Sequence, residues 1–138
     1  MSSHTPCFCH QPLPYEDCCQ PYHLGHSSPP TTLQLLRSRY SAYALRLADY
    51  IEATMVLPAL AHFHRKDIEE AATEWLGLKV LDVSGGQALD TDGTIVFEAT
   101  FRQSPDHPLQ AFRETSSFRR RDGSWVYAES LCLERIDL

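Results

Sequence analysis

The spacing of hydrophobic residues changes along the chain, from three- and four-residue steps in the first half to two-residue steps in the second. From residue 31 the apolar positions form one stripe of about four turns, which predicts a helix that packs on a core. Thr31 and Gln34 form a capping box at its start. Arg37 and Arg39 flank the stripe, where solvated charges are expected. The stripe consists of Leu33, Leu36, Tyr40, Tyr43 and Leu47.

Two shorter helices are predicted after this one. Asp49 has the character of an N-cap for the first, and Pro58 ends it. The second is expected to begin near Asp67 and to end at Gly77. The histidines of the loop at 62–64 are expected at the surface. The predicted buried side of the later helix is Ile68, Ala71, Ala72 and Trp75.

From residue 78 the period of two predicts strands. The first two are expected at 78–83 and 94–102, and the second alternates cleanly between apolar and polar residues. Segments 109–120 and 124–132 predict a hairpin, because Asp122-Gly123 between them is a favoured turn pair. Helices followed by antiparallel strands predict an α+β domain in which a curved sheet wraps the helical layer. One face of the second strand is Ile95, Phe97, Ala99 and Phe101.

Composition separates a small N-terminal module at 1–30 from the α+β domain at 31–138. Residues 1–30 hold six of the nine prolines and no Lys or Arg, and they have too little apolar surface to fold unaided. The run at 25–30 has the composition of a linker. The net charge of −6 argues against nucleic-acid binding. The sequence shows no signal-peptide pattern and no apolar run of the ~20 residues needed to span a bilayer. We therefore expect a cytoplasmic protein.

Four of the five cysteines lie in the pattern C-x-C-x8-C-C, and they are Cys7, Cys9, Cys18 and Cys19. Two close pairs of thiolates joined by a short loop can surround one Zn²⁺ ion, whose binding energy of ~10–16 kcal/mol folds such segments. We therefore predict a structural zinc site with these four ligands. His10, His23 or His26 is an alternative for one of them. The fifth cysteine, Cys132, is expected in the core of the last strand.

Other roles for the cysteine cluster stay open at this stage. Two disulfides require an oxidising compartment, against which the lack of a secretion signal argues. A redox pair does not fit well either, since C-x-C is not the thioredoxin spacing and adjacent Cys18 and Cys19 bridge only with strain. Unliganded thiols are the third alternative. Four protein ligands leave no open position for water, so a catalytic zinc is disfavoured.

The cysteine spacing resembles the SEC-C motif, a small zinc-binding module of bacterial proteins in which C-x-C and C-C supply the ligands. Tyr15 has the place of the tyrosine that stands three residues before the second pair in that motif. The Pro-Cys-Gly-Ser-Gly-Lys run of the motif reads Phe8-Cys9-His10-Gln11-Pro12-Leu13 in this chain. The resemblance therefore implies the metal site rather than a partner-binding role.

Four further segments resemble the YchJ-like family of uncharacterised bacterial proteins, and they are 37–43, 49–50, 74–78 and 113–118. With the cysteines, the resemblance covers nearly the whole chain. It implies a cone-shaped α+β domain similar to nuclear transport factor 2, with about three helices on a curved antiparallel sheet, preceded by a SEC-C-type zinc module. The activity of that family is not established, so the resemblance implies a fold and a metal but no mechanism.

Two functions are hypotheses at this stage, with monomer and dimer both open. The slightly favoured one is a zinc-stabilised interaction module that docks a protein partner through Phe8, Leu13, Pro14, Tyr15 and Tyr22. The other is a small-molecule enzyme of the isomerase, dehydratase or hydrolase type. It would use the interior of the cone, where a carboxylate in an apolar cavity acts as a general base. The pocket candidates are Arg39, Tyr43, Trp75, Glu98 and Glu114. Each has a simpler interpretation as a surface charge or a core aromatic residue.

Overall fold

The structure is a computed structural model that describes residues 6–138, so residues 1–5 of the predicted N-terminal module lie outside the described residues. The helices are Gln20–His23 (α1), Thr32–Leu45 (α2), Ala48–Ala53 (α3) and Arg65–Glu69 (α4). The strands are Glu74–Gly85 (β1), Asp92–Arg102 (β2), Gln110–Arg121 (β3) and Ser124–Ile136 (β4). The four strands form one antiparallel sheet in chain order.

Helix α2 begins where its capping box predicts. The Thr31 Oγ1 atom accepts a hydrogen bond from the Gln34 N–H at 3.3 Å and donates to the Gln34 side chain at 3.0 Å. The helix ends at Leu45 because Arg46 adopts a left-handed conformation, with φ of 60°. The prediction that Arg39 is solvated is wrong, since its side chain is buried beneath the helix.

Helix α3 and the following segments differ from the prediction. Leu47, not Asp49, is the N-cap of α3, and Asp49 lies exposed in the first turn, where it pairs with Arg65. The helix ends at Ala53, well before Pro58. Residues 54–56 then run beside β4, with the Val56 N–H donating to the Tyr127 carbonyl at 3.0 Å and the Tyr127 N–H to the Thr54 carbonyl at 2.8 Å.

The predicted third helix is the largest error. Helix α4 spans only Arg65–Glu69. Of the residues expected to complete it, 70–73 form a turn and a loop, and 74–77 belong to β1. Trp75 and Gly77 pair there with Phe101 and Thr100 of β2. Pairing with a distant strand places Trp75 in an aromatic cluster, and this gain outweighs the local preference for a helix.

The sheet follows the predicted alternation. Ile95, Phe97 and Ala99 of β2 are buried on the concave face, beneath the helices. The β3–β4 turn has positive φ at both Asp122 (52°) and Gly123 (85°), as a two-residue hairpin requires. The prediction of Cys132 as a core residue is wrong. It is exposed in the last part of β4, which extends beyond the helices.

The N-terminal module packs against the domain and shares its core. Cys7, Cys9 and Cys19 are buried in the same cluster as Leu35 and Tyr40 of α2. The predicted linker is also fixed in place, since Pro29 is buried and the Trp125 Nε1–H donates to the Pro30 carbonyl at 3.1 Å. Among residues 6–138, each helix is too short or too polar to cross a membrane.

Candidate metal centre and adjoining cavity

Two tight turns bring the cysteine pairs together. The Cys7 N–H donates to the Leu13 carbonyl at 2.8 Å, and the His10 N–H donates back to the Cys7 carbonyl at 3.0 Å. His10 has a φ of 72°, which lets the chain reverse directly after Cys9. The 3-10 turn Tyr15–Asp17 then delivers Cys18 and Cys19 to the first pair, through a hydrogen bond from the Cys18 N–H to the Tyr15 carbonyl at 3.0 Å.

The four sulfur atoms form a compact group. All lie within 4.8 Å of one another, with Cys9 Sγ 3.6 Å from Cys18 Sγ and Cys18 Sγ 4.0 Å from Cys19 Sγ. Four thiolates around one zinc ion at bonds of about 2.3 Å would be about 3.8 Å apart, so these separations fit a tetrahedral site. The arrangement can hold a metal ion, and its cysteines are unbridged.

Hydrogen bonds between the thiols distribute protons unevenly in the cluster. Those that the Cys19 and Cys9 thiols donate lower the pKa of Cys7 to about 2. The hydrogen bond to Cys7 raises the pKa of Cys19, and burial raises the pKa of Cys18 to about 12. A divalent cation would displace the thiol protons, because the thiolate is the form that binds metal.

The nearby histidines point elsewhere. The His10 Nε2 atom lies 2.8 Å from the Tyr40 hydroxyl of α2, and His26 is exposed. The His23 Nε2–H donates to the Ser38 carbonyl at 2.8 Å, so its Nδ1 atom accepts from the Tyr15 hydroxyl at 2.6 Å. Burial lowers the pKa of His23, which favours this neutral form. These contacts fasten the module to α2.

Removing the Tyr15 hydroxyl tests this fastening. We expect Tyr15→Phe to lower the free energy of unfolding by about 1 kcal/mol, because the Nδ1 atom of the half-buried His23 loses its donor. Tyr22 is the matched control, since it lies half-buried in the same module and its hydroxyl has no hydrogen bond within the described part of the chain. Tyr22→Phe should change stability by less than about 0.5 kcal/mol in urea unfolding. Equal effects of the two changes would contradict the role of the Tyr15–His23 contact.

A cavity of about 280 Å³, which we call the inner chamber, lies on the other side of α2. Seven of its twelve lining residues are aromatic, and three of the others are polar or charged. The aromatic residues are Tyr40, Tyr43, Trp75, Phe97, Phe112, Phe118 and Tyr127. The polar or charged residues are Arg39, Glu114 and Ser116. Such a chamber, mostly apolar with a few convergent polar groups, has the character of a ligand site.

Arg39 is the most deeply buried charge of the chamber, with 5% of its surface exposed. Its Nη1 atom donates to the Ile51 carbonyl at 2.9 Å and to Thr54 Oγ1 at 2.7 Å, and its guanidinium lies 4.9 Å from the Tyr127 ring centre. Within residues 6–138, its Nε and Nη2 atoms have no hydrogen-bond partner. Burial lowers the pKa of Arg39, but a guanidinium stays charged.

Glu114 provides the opposite charge. It lies on the concave face because its strand position pairs with Phe97. Its Oε2 atom accepts hydrogen bonds from the Ser116 hydroxyl at 2.6 Å and the Tyr127 hydroxyl at 2.9 Å. Oε1 has no partner in the described part of the chain. Burial and the neighbouring Glu114 both raise the pKa of Tyr127, which keeps its hydroxyl a donor.

A wider cavity of about 560 Å³, which we call the vestibule, adjoins the chamber. The two cavities share Tyr43, Trp75, Glu114 and Tyr127 as walls, whereas Arg39 lines only the inner chamber. The polar or charged residues that line only the vestibule are His62, His64, Asp67, Thr73, Glu129 and Ser130. Glu114 therefore borders both cavities, and Arg39 is the more deeply buried of the two charges.

Four of the five pocket candidates line the chamber together: Arg39, Tyr43, Trp75 and Glu114. Glu98 does not, because it alternates with the buried Phe97 and Ala99. It lies on the outer face of the sheet, where it accepts a hydrogen bond from Arg113 Nε at 3.0 Å. Its proposal as a pocket residue is corrected accordingly.

Sequence reasoning missed Tyr127 and Ser116 as chamber residues. The signal was present for both. Counting back from the Asp122-Gly123 turn pairs Tyr127 with Phe118, and Ser116 shares a strand face with Phe118 by alternation.

The chamber offers two complementary chemical functions. The free N–H groups of Arg39 can donate to a carboxylate or carbonyl. The free oxygen of Glu114 can accept a hydrogen bond, or a proton, from a bound molecule.

Comparison with known proteins supports both parts of the structure. Residues 31–130 match the family described as "YchJ, middle NTF2-like domain". The chain is 37% identical to a UPF0225 protein of Streptomyces coelicolor over 132 residues, covering 94% of this chain and 97% of that protein. It is 34% identical to a UPF0225 protein of Photorhabdus laumondii over 127 residues, covering 91% and 79%.

Two solved structures of SEC-C motif containing proteins are similar to the whole chain. The solution structure from Rhodopseudomonas palustris has a TM-score of 0.78 at 33% identity and covers 96% of this chain and 100% of that one. The crystal structure from Psychrobacter arcticus has a TM-score of 0.73 at 31% identity and covers 92% and 81%. The expected α+β fold similar to nuclear transport factor 2 is therefore confirmed, as are the two resemblances read from the sequence.

Proposed function

The chain belongs to the UPF0225 family and contains a YchJ-type middle domain, and from the geometry of that domain we propose that it binds a small organic molecule in the inner chamber. In this proposal a structural zinc ion in the N-terminal module supports α2, which forms one wall of that chamber. The observation that carries it is a pair of opposite charges, on Arg39 and Glu114, that line one aromatic cavity and keep atoms without a hydrogen-bond partner in the described part of the chain. The wall is otherwise mostly apolar, and a ligand with complementary groups would bond to these free atoms.

The proposed zinc ion is held by Cys7, Cys9, Cys18 and Cys19, whose sulfur separations fit a tetrahedral site. The ion would supply a cross-link between the two turns of the module and would compensate the thiolate charges. Three of its ligands are buried and Cys18 is half-buried, and four protein ligands leave no position for a substrate. The zinc therefore acts on structure, and the chemistry belongs to the chamber.

The geometry favours this function over docking through the module. Tyr15, which sequence reasoning assigned to a docking surface, is half-buried and directs its hydroxyl to His23. A protein partner remains the second candidate because Phe8, Leu13 and Leu24 are 37%, 48% and 59% exposed. Replacing Phe8 and Leu13 by Ser would test it, since partner binding that survives the double change would count against this surface.

A native mass spectrum of freshly purified protein tests the proposed function. We expect the mass of one zinc ion, with protons lost from the cysteines, and an adduct of one small organic molecule. The control is Ala99→Leu, which adds side-chain volume at a buried position of the chamber wall. This variant should keep the zinc and lose the adduct. A chain lighter by four protons would instead mean two disulfides.

If the protein is purified without its ligand, a fragment screen tests binding in the chamber instead. Fragment-sized organic molecules would be screened by following the indole N–H resonance of Trp75, which lines the chamber. We expect bound fragments to shift this resonance and to lose affinity in Ala99→Leu. A screen in which no fragment distinguishes the two proteins would overturn binding in the chamber.

A further inference from the structure

The two charges of the chamber are opposite and separate. Arg39 and Glu114 both line it, yet among residues 6–138 no ion pair joins them. Each is held by neutral neighbours. Arg39 donates to the Ile51 carbonyl and Thr54, and Glu114 accepts from Ser116 and Tyr127. The chamber therefore presents one fixed positive and one fixed negative group at different places on its wall.

This arrangement discriminates by charge. A molecule with only a negative group would satisfy Arg39 but face Glu114, and a molecule with only a positive group would meet the reverse conflict. A molecule that carries both charges can pair each of them and leave neither chamber group unsatisfied. Hydrogen bonds that involve charged partners are among the strongest available to a small ligand.

The rest of the chamber favours an apolar group beside the two charges. Aromatic rings form most of the wall, including edge-to-face pairs such as Phe97–Phe112, with ring centres 6.1 Å apart. Glu114 also lines the vestibule, together with Asp67 and Glu129, whereas Arg39 lines only the inner chamber. A positive group is thus expected towards the vestibule and a negative group beside the more deeply buried Arg39.

We propose that the chamber binds a small zwitterion of the α-amino acid class with an apolar or aromatic side chain. The carboxylate accepts hydrogen bonds from the free N–H groups of Arg39, and the ammonium group donates to Glu114 Oε1. The side chain lies against the aromatic wall. This assignment rests on the proposed function, to which it adds the class of the ligand and its orientation.

Three related probes test the assignment by isothermal titration calorimetry of the zinc-loaded protein. L-Phenylalanine carries both charges, 3-phenylpropanoate lacks the ammonium group, and phenethylamine lacks the carboxylate. We expect phenylalanine to bind best and each analogue to bind about 10- to 100-fold more weakly, as the loss of one charge-assisted hydrogen bond predicts. Either analogue binding as tightly as phenylalanine would overturn the zwitterion assignment, and so would no binding by all three.

Two substitutions then locate the ammonium group. Glu114→Gln should weaken phenylalanine binding by about 10- to 100-fold and leave 3-phenylpropanoate binding unchanged or tighter, because this analogue has no group for Glu114. Glu98→Gln is the matched control on the outer face of the sheet, and it should leave the affinity for all three probes unchanged. Equal losses for phenylalanine and 3-phenylpropanoate in Glu114→Gln would contradict the assigned orientation.

The failure of this assignment is distinguishable from that of the proposed function. If an unrelated molecule occupies the chamber, its binding would still be lost in Ala99→Leu. The three probes would then fail to displace that molecule from the unmodified protein. Should the chamber bind nothing, Ala99→Leu would have no effect on any small molecule. Thermal unfolding of Glu114→Gln checks its fold, and the comparison of the three probes on the unmodified protein needs no variant.

Discussion

Replacing Cys19 by Ser is expected to lower the melting temperature of the zinc-loaded protein by roughly 10–20 °C. A ligand present at 1,000 times its dissociation constant stabilises a fold by about 4 kcal/mol, which the variant would lose with the zinc. Cys19 is buried in the cluster that contains Leu35, Leu36 and Tyr40 of α2. Loss of the proposed zinc ion should therefore disturb the wall of the chamber as well as the N-terminal module.

Cys132→Ser is the matched control, because that thiol is exposed on β4 and far in the sequence from the cluster. It should keep one zinc per chain and melt within about 2 °C of the unmodified protein. Melting curves recorded in parallel with zinc content provide the measurement. If Cys19→Ser lost the zinc but melted like Cys132→Ser, the metal would not support the fold, and the proposed link from module to chamber would fail.

The elements with local signals were predictable from the sequence. Thr31 and Gln34 fix the start of α2 through contacts within one turn, and Asp122-Gly123 fixes the last hairpin through its backbone preference. The start of β1 has no such signal. Residues 70–77 satisfy a weak helical period, and only the distant pairing of Trp75 with Phe101 reveals a strand. Local patterns do not encode a partner that lies about 25 residues away.

Of the two candidate sites, likewise, one was predictable from local sequence and the other was not. The cysteine cluster was predictable as a group because a short loop joins both pairs, so their proximity needs no knowledge of the fold. The burial of Arg39 was not, since its hydrogen-bond partner on Ile51 and its stacking partner Tyr127 come from other elements. The packing of the N-terminal module on α2 could not be predicted from the sequence either. It depends on the backbone carbonyl of Ser38, and a backbone group has no sequence signature.

Gly86→Ala is expected to lower the free energy of unfolding by about 3 kcal/mol, through backbone strain and overpacking together. Gly86 has a φ of 72°, and an added Cβ atom would lie 2.0 Å from Thr32 Oγ1 and 2.7 Å from its Cγ2. Thr32 is fully buried at the start of α2 and its N–H donates to the Gly86 carbonyl at 2.9 Å. Because a β-branched side chain has few rotamers, it cannot readily move away.

Two further variants separate the strain from the collision. Gly25→Ala has a φ of 78° but no atom within 4 Å of the added Cβ, so it should cost only about 1 kcal/mol. Thr32→Ala removes the two closest atoms, and its Oγ1 has no hydrogen-bond partner to lose in the described part of the chain. In urea unfolding, the double variant Gly86→Ala with Thr32→Ala should therefore be more stable than the sum of the two single changes predicts. Strict additivity would mean that the β1–β2 turn does not press on the start of α2, and the cost of Gly86→Ala would then lie in its backbone conformation alone.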